Sequence, residues 1–378
     1  MHWTVQFNDL PYELVAEIFK AYVSLPQTSP EELFRVCRLW SAIANNEPTL
    51  WTKFIITRKM MSRPDDSQFD FSEHTRHWVL VFKRRLERVG PSLPLQISIF
   101  GLHEGLLPII DVISGGAPDY IHLRRWDTLD LATGELIFAP DVEDSWRSIA
   151  RLISQPTPSL KRLTLRQNKI DFRAFPDAPN LEELHILLSR SPLIGHNNGF
   201  PNLKKLCITY PSKYPLSLVH PAKISPGTIE TLIIGGEVDF GESAMGTYPS
   251  LSLLEFHKRV PHGVVHMSAP NLRHLTLRNP DLFGLIYPDW ESQHADSTRK
   301  NREVLEMLAR RFPSVEILDV HRNLRNLVLE MIFGESVFFA GIKELWVVSM
   351  DCRERVDLTR WLGGRGNHFH WFFTDRAG

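Results

Sequence analysis

The sequence predicts an α/β protein in two parts, a small N-terminal module of three helices followed by a repeat solenoid with a parallel sheet. Apolar residues recur at helical spacing within the first sixty residues. From residue 160 onward, a short pattern of the form L-x-x-L-x-(L, I, V or F) recurs eight times. The 26 prolines argue against one long helical bundle and favour many short elements with frequent turns.

The first helix is predicted to begin at Asn8 or Asp9, because either side chain can cap it, with Pro11 in its opening turn. Its apolar positions are Leu10, Leu14, Ile18 and Phe19. A second helix is predicted to begin at Ser29 and to continue toward Pro48, with Ser29 capping it and Glu32 reaching back to form a capping box. Its apolar stripe comprises Leu33, Val36, Cys37, Trp40 and Ala44. Pro48 ends this run, and a short third element follows.

On pattern alone, this segment is an ordinary three-helix bundle. The order of its residues over about fifty positions, however, resembles the F-box motif. The matching residues are Leu10-Pro11-x-Glu13-Leu14, Ile18-Phe19, Val36-Cys37-Arg38-x-Trp40, Ala44, Pro48 and Leu50-Trp51. One departure is the connection at residues 21–28, which is longer than in the shortest F-boxes. The resemblance implies binding to the Skp adaptor and, through it, to the cullin of a ubiquitin ligase.

The size of the module supports a partner interface. A piece of about 50 residues buries little surface, so apolar residues in excess of its core are expected where a partner binds. The predicted adaptor-binding residues are Leu10, Pro11, Glu13, Leu14 and Ile18. Trp40 and Trp51 are expected mainly in the internal core. Cys37 is interpreted as a small buried hydrophobic residue rather than a reactive thiol.

Residues 58–92 are predicted as a polar linker and a connecting helix that couples the two parts. The helix is expected to run from Ser72 to about Val89 and to end at Gly90 and Pro91. Its apolar face comprises Trp78, Val81, Phe82 and Leu86. The opposite face carries Arg76, Lys83, Arg84, Arg85 and Arg88. We interpret that basic face as solvated, with nucleic-acid binding as the alternative.

The repeats begin at Leu160, Leu181, Leu203, Ile229, Leu251, Leu272, Val315 and Ile342. Most are 21 to 27 residues apart, within the range of leucine-rich repeats, and one gap of 43 holds an insertion at residues 280–311. The full consensus with its asparagine occurs once, from Leu160 to Asn168. The alternative is an unrelated α/β fold with leucine-rich strands. Trp126 to Leu131 is a weaker, earlier copy, and Leu95 to Ile99 predicts an opening strand.

Stacked repeats of this kind predict a buried ladder of leucines, because alternate residues of a strand point to opposite faces of the sheet. The expected ladder is Leu163, Leu184, Leu206, Leu232, Leu254, Leu275, Leu318 and Leu345. The residues between ladder positions are expected on a concave face. Convex helices are predicted at 106–113, 146–153 and 304–311, and His368 to Phe373 is predicted to cap the last strand.

The order of an F-box followed by repeats resembles the F-box/leucine-rich-repeat proteins, and most of all the lineage-expanded F-box proteins of mushroom-forming fungi. This predicts an F-box at 5–57, the linker and helix at 58–92, and a leucine-rich-repeat-like solenoid with a C-terminal cap at 93–378. The predicted function is substrate recognition in a Skp–cullin–F-box ubiquitin ligase. The alternatives are an adaptor-bound scaffold that recruits no target for ubiquitylation, and an enzyme hidden in the α/β half.

Composition and motifs disfavour several other classes of protein, including enzymes. Lys and Arg number 43 against 44 Asp and Glu, a net charge of −1 that disfavours nucleic-acid and polybasic membrane binding. The three cysteines form no CxxC pair, so neither a disulfide framework nor a cysteine zinc site is expected. We find no phosphate-binding loop, nucleophile elbow or zinc-protease motif, and therefore expect a non-catalytic protein without cofactors. Nothing resembles a signal peptide or membrane span, which predicts a cytoplasmic or nuclear location.

The target-binding residues are predicted on the concave face, where no core packing is required. Arg, His and Trp at such positions are available for contact, and interface energy often concentrates on Arg and Trp. The predicted residues are Arg166, His257, His274, Arg278, His321 and Trp346. They form a mildly basic patch with one aromatic residue, which predicts an acidic or phosphorylated target segment. Contacts made instead by loops or by the 280–311 insertion remain the alternative.

Overall fold

The chain divides into two compact units, Met1–Arg162 with Pro176–Ala178, and Leu163–Phe175 with Pro179–Gly378. The computed structural model describes residues 10–25, 28–57, 71–101, 106–132, 155–167, 178–188, 200–209, 216–217, 227–236, 238–239, 246–258, 260–279, 293–333, 341–348, 353–357 and 372–373. The predicted caps Asn8 and Asp9, the helix at 146–153 and the consensus asparagine Asn168 lie outside these residues.

The first unit combines helices with three parallel strands. Its described elements are α1 (Tyr12–Ser24), α2 (Pro30–Leu33), α3 (Arg38–Asn46), a 3-10 helix (Pro48–Trp51), β1 (Lys53–Thr57), α4 (Phe71–Val89), β2 (Leu95–Phe100), α5 (Leu107–Ser114), a 3-10 helix (Leu123–Arg125) and β3 (Trp126–Ala132). The predicted connecting helix, opening strand and helix at 106–113 are confirmed as α4, β2 and α5, and the segment from Trp126 to Leu131 forms strand β3.

Strand β1 is an element that the sequence analysis missed. It follows the helical module directly and pairs in parallel with β2, with Phe54 opposite Ile97. Its residues alternate between half-buried and buried, and Phe54 and Ile56 are fully buried. The helical module is therefore followed directly by the first strand of the sheet in this unit. The unit continues beyond residue 57, to Arg162.

The second unit is built on a long sheet. Its described elements are β4 (Arg162–Gln167), β5 (Glu183–Leu188), β6 (Lys205–Thr209), β7 (Leu216–Ser217), β8 (Thr231–Ile234), β9 (Val238–Asp239), β10 (Leu253–Phe256), a 3-10 helix (His262–His266), β11 (His274–Leu277), α6 (Gln293–Arg311), β12 (Ile317–His321), a 3-10 helix (Arg322–Leu324), α7 (Arg325–Phe333), β13 (Glu344–Val348), β14 (Arg353–Asp357) and β15 (Phe372–Phe373). The sheet order in this unit is β4-β5-β6-β8-β10-β11-β12-β13-β14-β15, while β7 and β9 form a separate pair.

The predicted leucine ladder is confirmed. From β5 to β13 the repeat strands pair in parallel and without a register shift, so that Leu184, Leu206, Leu232, Leu254, Leu275, Leu318 and Leu345 lie side by side. Each of these leucines, and Leu163 on β4, is at most 4% exposed. The third apolar position of each repeat, such as Phe256 and Leu277, is buried on the same side.

A recurring turn sets this register. Before five of the strands, β4, β6, β10, β11 and β12, the carbonyl of the residue that precedes a proline accepts a hydrogen bond from the N–H three residues later, as in Leu203 N–H to Phe200 O at 3.2 Å and Leu272 N–H to Ala269 O at 3.2 Å. Proline suits the second position of such a turn. The side chain after the proline then bonds the preceding repeat: Asn202 Nδ2 donates to Pro179 O at 2.8 Å, and Asn271 Nδ2 to Pro249 O at 2.7 Å. These bonds tie repeats together where the consensus asparagine is missing.

The end of the chain departs from the repeat geometry. Strands β13 and β14 pair antiparallel, as do β14 and β15, in which Phe372 and Phe373 belong to the predicted cap. The predicted helix at 304–311 is real but begins earlier, at Gln293, so it occupies much of the 280–311 insertion. Helix α7 was not predicted.

The ladder yields a stability prediction with a matched control on the same strand. Leu254→Ala should lower the free energy of unfolding by about 2–5 kcal/mol, because it opens a cavity in the packed core. Leu253→Ala should cost much less, because Leu253 faces the other side of β10 and is only half-buried. Urea unfolding of both variants measures the difference, and equal losses would contradict the assignment of Leu254 to the ladder.

Candidate functional site

Helix α1 places apolar residues on two opposite faces. Val15, Ala16, Phe19 and Val23 are buried on one face, where the Phe19 and Trp40 rings lie 4.9 Å apart. Pro11 is the residue before the helix rather than part of its first turn, and it makes no side-chain cap. Trp51 is fully buried, as predicted, and its indole N–H donates to Ala44 O at 2.8 Å. Trp40 is half-buried.

The second predicted helix is interrupted, which corrects three predictions. Helix α2 ends at Leu33 and α3 begins at Arg38 after a turn, so the apolar stripe does not keep its phase. Val36 is therefore 57% exposed instead of buried. Cys37 is exposed as the extended residue that precedes α3, and its prediction as a buried residue is wrong.

Ser29 does precede α2, with Pro30 in the first turn, but the capping box is absent because Ser29 Oγ donates to Glu31 instead.

The exposed apolar side chains concentrate in this module. Of the nine large hydrophobic side chains that are exposed in the described residues, six lie between Tyr12 and Leu39. They are Tyr12, Leu14, Ile18, Leu25, Val36 and Leu39. Pro11, Leu14, Ile18 and Leu25 follow one another at helical spacing, and we call them the α1 stripe. Apolar surface gathered in one place on a small module is typical of a binding surface.

The structure gives the predicted adaptor-binding residues the following positions. Leu14 is 53% and Ile18 is 44% exposed, both on the α1 stripe. Pro11 and Glu13 are exposed at the start of the helix, and Leu10 is half-buried. Tyr12, Leu25, Val36 and Leu39 are further exposed apolar side chains of this module that the predicted set did not include. Val36 could not be found from spacing, because the break between α2 and α3 has no proline or glycine to signal it.

Helix α4 is bound to the helical module through two arginines. Arg85 forms a two-point ion pair with the Glu31 carboxylate through Nε and Nη2. Its Nη2 also donates to Ser29 Oγ at 3.1 Å, and its Nη1 to Lys53 O at 3.3 Å. The Arg88 guanidinium lies over the rings of Phe34 and Trp51, at 4.9 and 4.3 Å. The interpretation of the basic face as solvated is therefore wrong for these two residues.

The ion pair changes the acidity of Glu31. Burial favours the neutral acid and on its own raises the pKa of Glu31, but the hydrogen bond and charge of Arg85 outweigh burial and hold that pKa below its ordinary value. Glu31 is thus ionised at neutral pH, and the pair fixes α4 against the start of α2.

The second candidate surface is the sheet face of the second unit that lies opposite the leucine ladder. We call it the polar face. The in-register strands arrange its side chains in rows, because equivalent positions of consecutive repeats lie side by side. The middle row across β10 to β13 is Glu255, Thr276, Asp319 and Trp346. The C-terminal row, at the carboxyl ends of β10 to β12, is His257, Arg278 and His321.

Glu255 organises the polar face at β10 and β11. Its carboxylate accepts from His257 Nε2 at 2.7 Å and from Arg278 Nε. Although Glu255 is only 8% exposed, Arg278 and His257 keep 51% and 40% of their side chains exposed. Burial alone raises the pKa of Glu255, but the His257 hydrogen bond and the Arg278 charge together hold it below its ordinary value. The ionised carboxylate therefore holds two exposed basic side chains in place.

The remaining predicted target-binding residues differ in their surroundings. His274 Nε2 lies 3.3 Å from Asp319 Oδ1 and 3.3 Å from Thr276 Oγ1. Trp346 is half-buried, and its indole N–H donates to Glu344 Oε2 at 3.1 Å. Arg166 is exposed near the end of β4. The expectation that nothing is packed at these positions is wrong for the middle row, because Glu255, Thr276 and Asp319 are buried.

The two buried carboxylates were missed by the sequence analysis, although a signal for one of them was present. Aligning the repeats places Glu255 beside Thr276, and Arg278 beside His257, in adjacent copies. Glu255 is an acid among these basic residues, on a face whose side chains point to solvent. It could therefore have been identified as the ion-pair partner of Arg278 and His257. Asp319 also aligns with Thr276, since Leu318 aligns with Leu275 across the 280–311 insertion, but alignment alone does not show that its side chain is buried.

Two further features of the described residues bear on other functions. The residues that the structure describes contain no group of three or more His, Cys, Asp or Glu side chains suited to hold a metal ion. Among the helices described, none has the length and apolar character needed to cross a membrane.

Comparison with known proteins identifies one domain. The F-box-like family model matches residues 7–57, the segment that carries α1 to α3 and ends with β1. No curated protein matches the chain. The N-terminal segment is therefore an F-box-like domain, which supports an F-box protein.

The ion pair between α4 and the F-box-like domain can be tested by a double-mutant cycle. Arg85→Met, Glu31→Gln and the double variant should reveal a coupling free energy of roughly 1–3 kcal/mol in urea unfolding, because the pair is partly buried and bonded at two points. The exposed i,i+3 pair Glu17–Lys20, treated in the same way, should give about 0.5 kcal/mol or less.

The same pair predicts a dependence on pH. Because the folded pKa of Glu31 is lowered, its contribution to stability is complete above the unfolded carboxyl pKa of about 4.3 and is lost as the pH falls through the folded pKa. Glu31→Gln should remove that part of the acid-induced loss. An identical acid profile in the variant would contradict the role of the pair.

Proposed function

We infer that this chain is the substrate-recognition subunit of a Skp–cullin–F-box ubiquitin ligase. The F-box-like domain at 7–57 indicates a role as the F-box component of such a ligase, since F-box domains generally bind Skp adaptors. One structural observation supports this proposal most strongly: the concentration of exposed apolar side chains in that domain, with the α1 stripe at its centre. In the proposed complex, this surface is covered by the adaptor.

The second unit would hold a target protein on its polar face. The parallel repeat strands arrange polar and charged side chains in rows on this face. Such a surface is expected of the repeats in F-box/leucine-rich-repeat proteins, including those of mushroom-forming fungi. The chain itself would supply no catalytic group. It would accelerate ubiquitin transfer by holding the target near the ligase, which converts an encounter in solution into an intramolecular step. We place this activity in the cytoplasm or nucleus.

Pull-down of the tagged chain distinguishes the proposal from its alternative. Recovery of adaptor and cullin together with a protein whose level rises when the proteasome is inhibited would support substrate recognition. Recovery of the adaptor without cullin or such a protein would favour a scaffold.

The α1 stripe makes a specific prediction for the adaptor. Leu14→Ala combined with Ile18→Ala should weaken adaptor binding at least about tenfold, because two exposed apolar side chains of an interface are truncated. The far-ultraviolet circular dichroism should be unchanged, since both side chains face solvent. Leu80→Ala, which truncates an equally exposed leucine on α4, serves as the control and should bind as the wild type does. Wild-type affinity in the double variant would refute the assignment.

A further inference from the structure

The carboxyl ends of β10, β11 and β12 form an edge of one charge sign. The residues at these ends are His257-Lys258, Arg278-Asn279 and His321-Arg322-Asn323, which include no acid. The residues that precede or begin the same and neighbouring strands are mixed, with Glu230, Arg273, Glu316, Lys343 and Glu344. The basic character is therefore confined to the C-terminal row and to the residues that follow it.

The arginine in this row is held in a defined orientation. Backbone bonds continue the ladder past the strands, from His257 N–H to Ile234 O at 2.9 Å and from Arg278 N–H to Phe256 O at 2.8 Å. Glu255 then engages Arg278 through Nε, the inner nitrogen of the guanidinium group. Because the side chain remains 51% exposed, its two outer amino groups are placed to donate a fork of hydrogen bonds to a carboxylate.

A neighbouring histidine is also oriented as a donor. Asn323 N–H donates to His321 Nδ1 at 3.3 Å, so the neutral ring carries its proton on Nε2. Burial, aided by the charge of Arg322, lowers the pKa of His321 and favours this neutral form. His321 thus presents an N–H group on the strand next to that of Arg278. The Nε2 proton of His257 is already donated to Glu255, so His257 supports Glu255 rather than a ligand.

We propose that Arg278 and His321 in the C-terminal row bind an acidic segment of the target protein, with Asp or Glu side chains lying across β11 and β12. This refines the proposed function, on which it rests, and makes Glu255 the residue that positions Arg278. Strands lie about 4.8 Å apart, so the Arg278 fork and the His321 N–H come from neighbouring positions on adjacent strands. Separated donors fit successive carboxylates better than a single phosphate, which needs several donors converging on one point.

The proposed site leaves out two further residues of the sequence-predicted set. His274 lies beside the buried Asp319 carboxylate, and the Trp346 indole N–H is used by Glu344. Both lie away from the carboxyl ends of the strands. Arg322, which sequence analysis did not select, adds a charge next to His321 and is exposed.

The test uses the full chain and short fluorescent peptides of alternating Glu and Gly. Fluorescence anisotropy should show binding of this peptide, and little binding of the matched Gln and Gly peptide. Arg278→Ala should weaken binding about tenfold or more, and Arg278→Lys should also weaken it, because lysine keeps the charge but loses the fork. Arg310→Ala removes an equally positive, exposed side chain on α6 and should have no effect.

Glu255→Gln separates positioning from net charge. It makes the edge more positive, so a purely electrostatic surface would bind the acidic peptide more tightly. The proposal expects weaker binding, because Arg278 loses the carboxylate that orients it. Tighter binding by Glu255→Gln, an equal loss in Arg310→Ala, or binding of a phosphoserine and Gly peptide in place of the Glu peptide would each overturn the proposal.

Adaptor binding provides an independent readout in the same samples. Arg278→Ala should retain the adaptor at wild-type affinity, since it lies in the second unit. Loss of peptide binding with the adaptor retained would thus be specific to the row. Failure of the wild-type chain to bind the adaptor would instead count against the proposed function. The peptide measurements would still test the acidic-segment site independently.

Discussion

In-register stacking of the repeat strands is the constraint on which the second unit depends. Each strand buries its second and third apolar residues, so a shift by one residue would expose the leucine ladder and bury the polar face. The proline turns before β4, β6, β10, β11 and β12 and the side-chain bonds to the preceding repeat fix the same register from outside the sheet. Hydrophobic burial and local turn chemistry therefore favour a single alignment.

That alignment also determines the chemistry of the opposite face. Because equivalent residues of neighbouring repeats become neighbours in space, the acid at Glu255 meets basic residues from its own strand and from the next one. The buried Glu255 carboxylate in the middle row orients the side chains of His257 and Arg278 at the edge. The packing of the leucine ladder in the core thus determines where the side chains of the opposite, solvent-exposed face lie.

The sequence predicted what is periodic and missed what depends on a single contact. The ladder, β2, β3, α4 and α5 follow from spacing and flanking turn residues. Strand β1 was missed because KFIIT directly follows the helical motif with no break. The exposure of Val36 and Cys37 depends on an interruption of the helix that no helix breaker marks. The partners of Arg85 and Glu255 lie 54 and 23 residues away, and such pairings are set by the fold rather than by local pattern.

The central claim is that the F-box-like domain contacts a Skp adaptor through the α1 stripe. Site-specific photo-crosslinking tests this contact directly, with a photoreactive amino acid placed at Ile18 or, as the control, at Leu80 on α4. Both side chains are similarly exposed, at 44% and 50%. The account predicts a crosslinked product with the adaptor from position 18 and none from position 80. Crosslinking from position 80 alone, or from neither position although the complex forms, would contradict it.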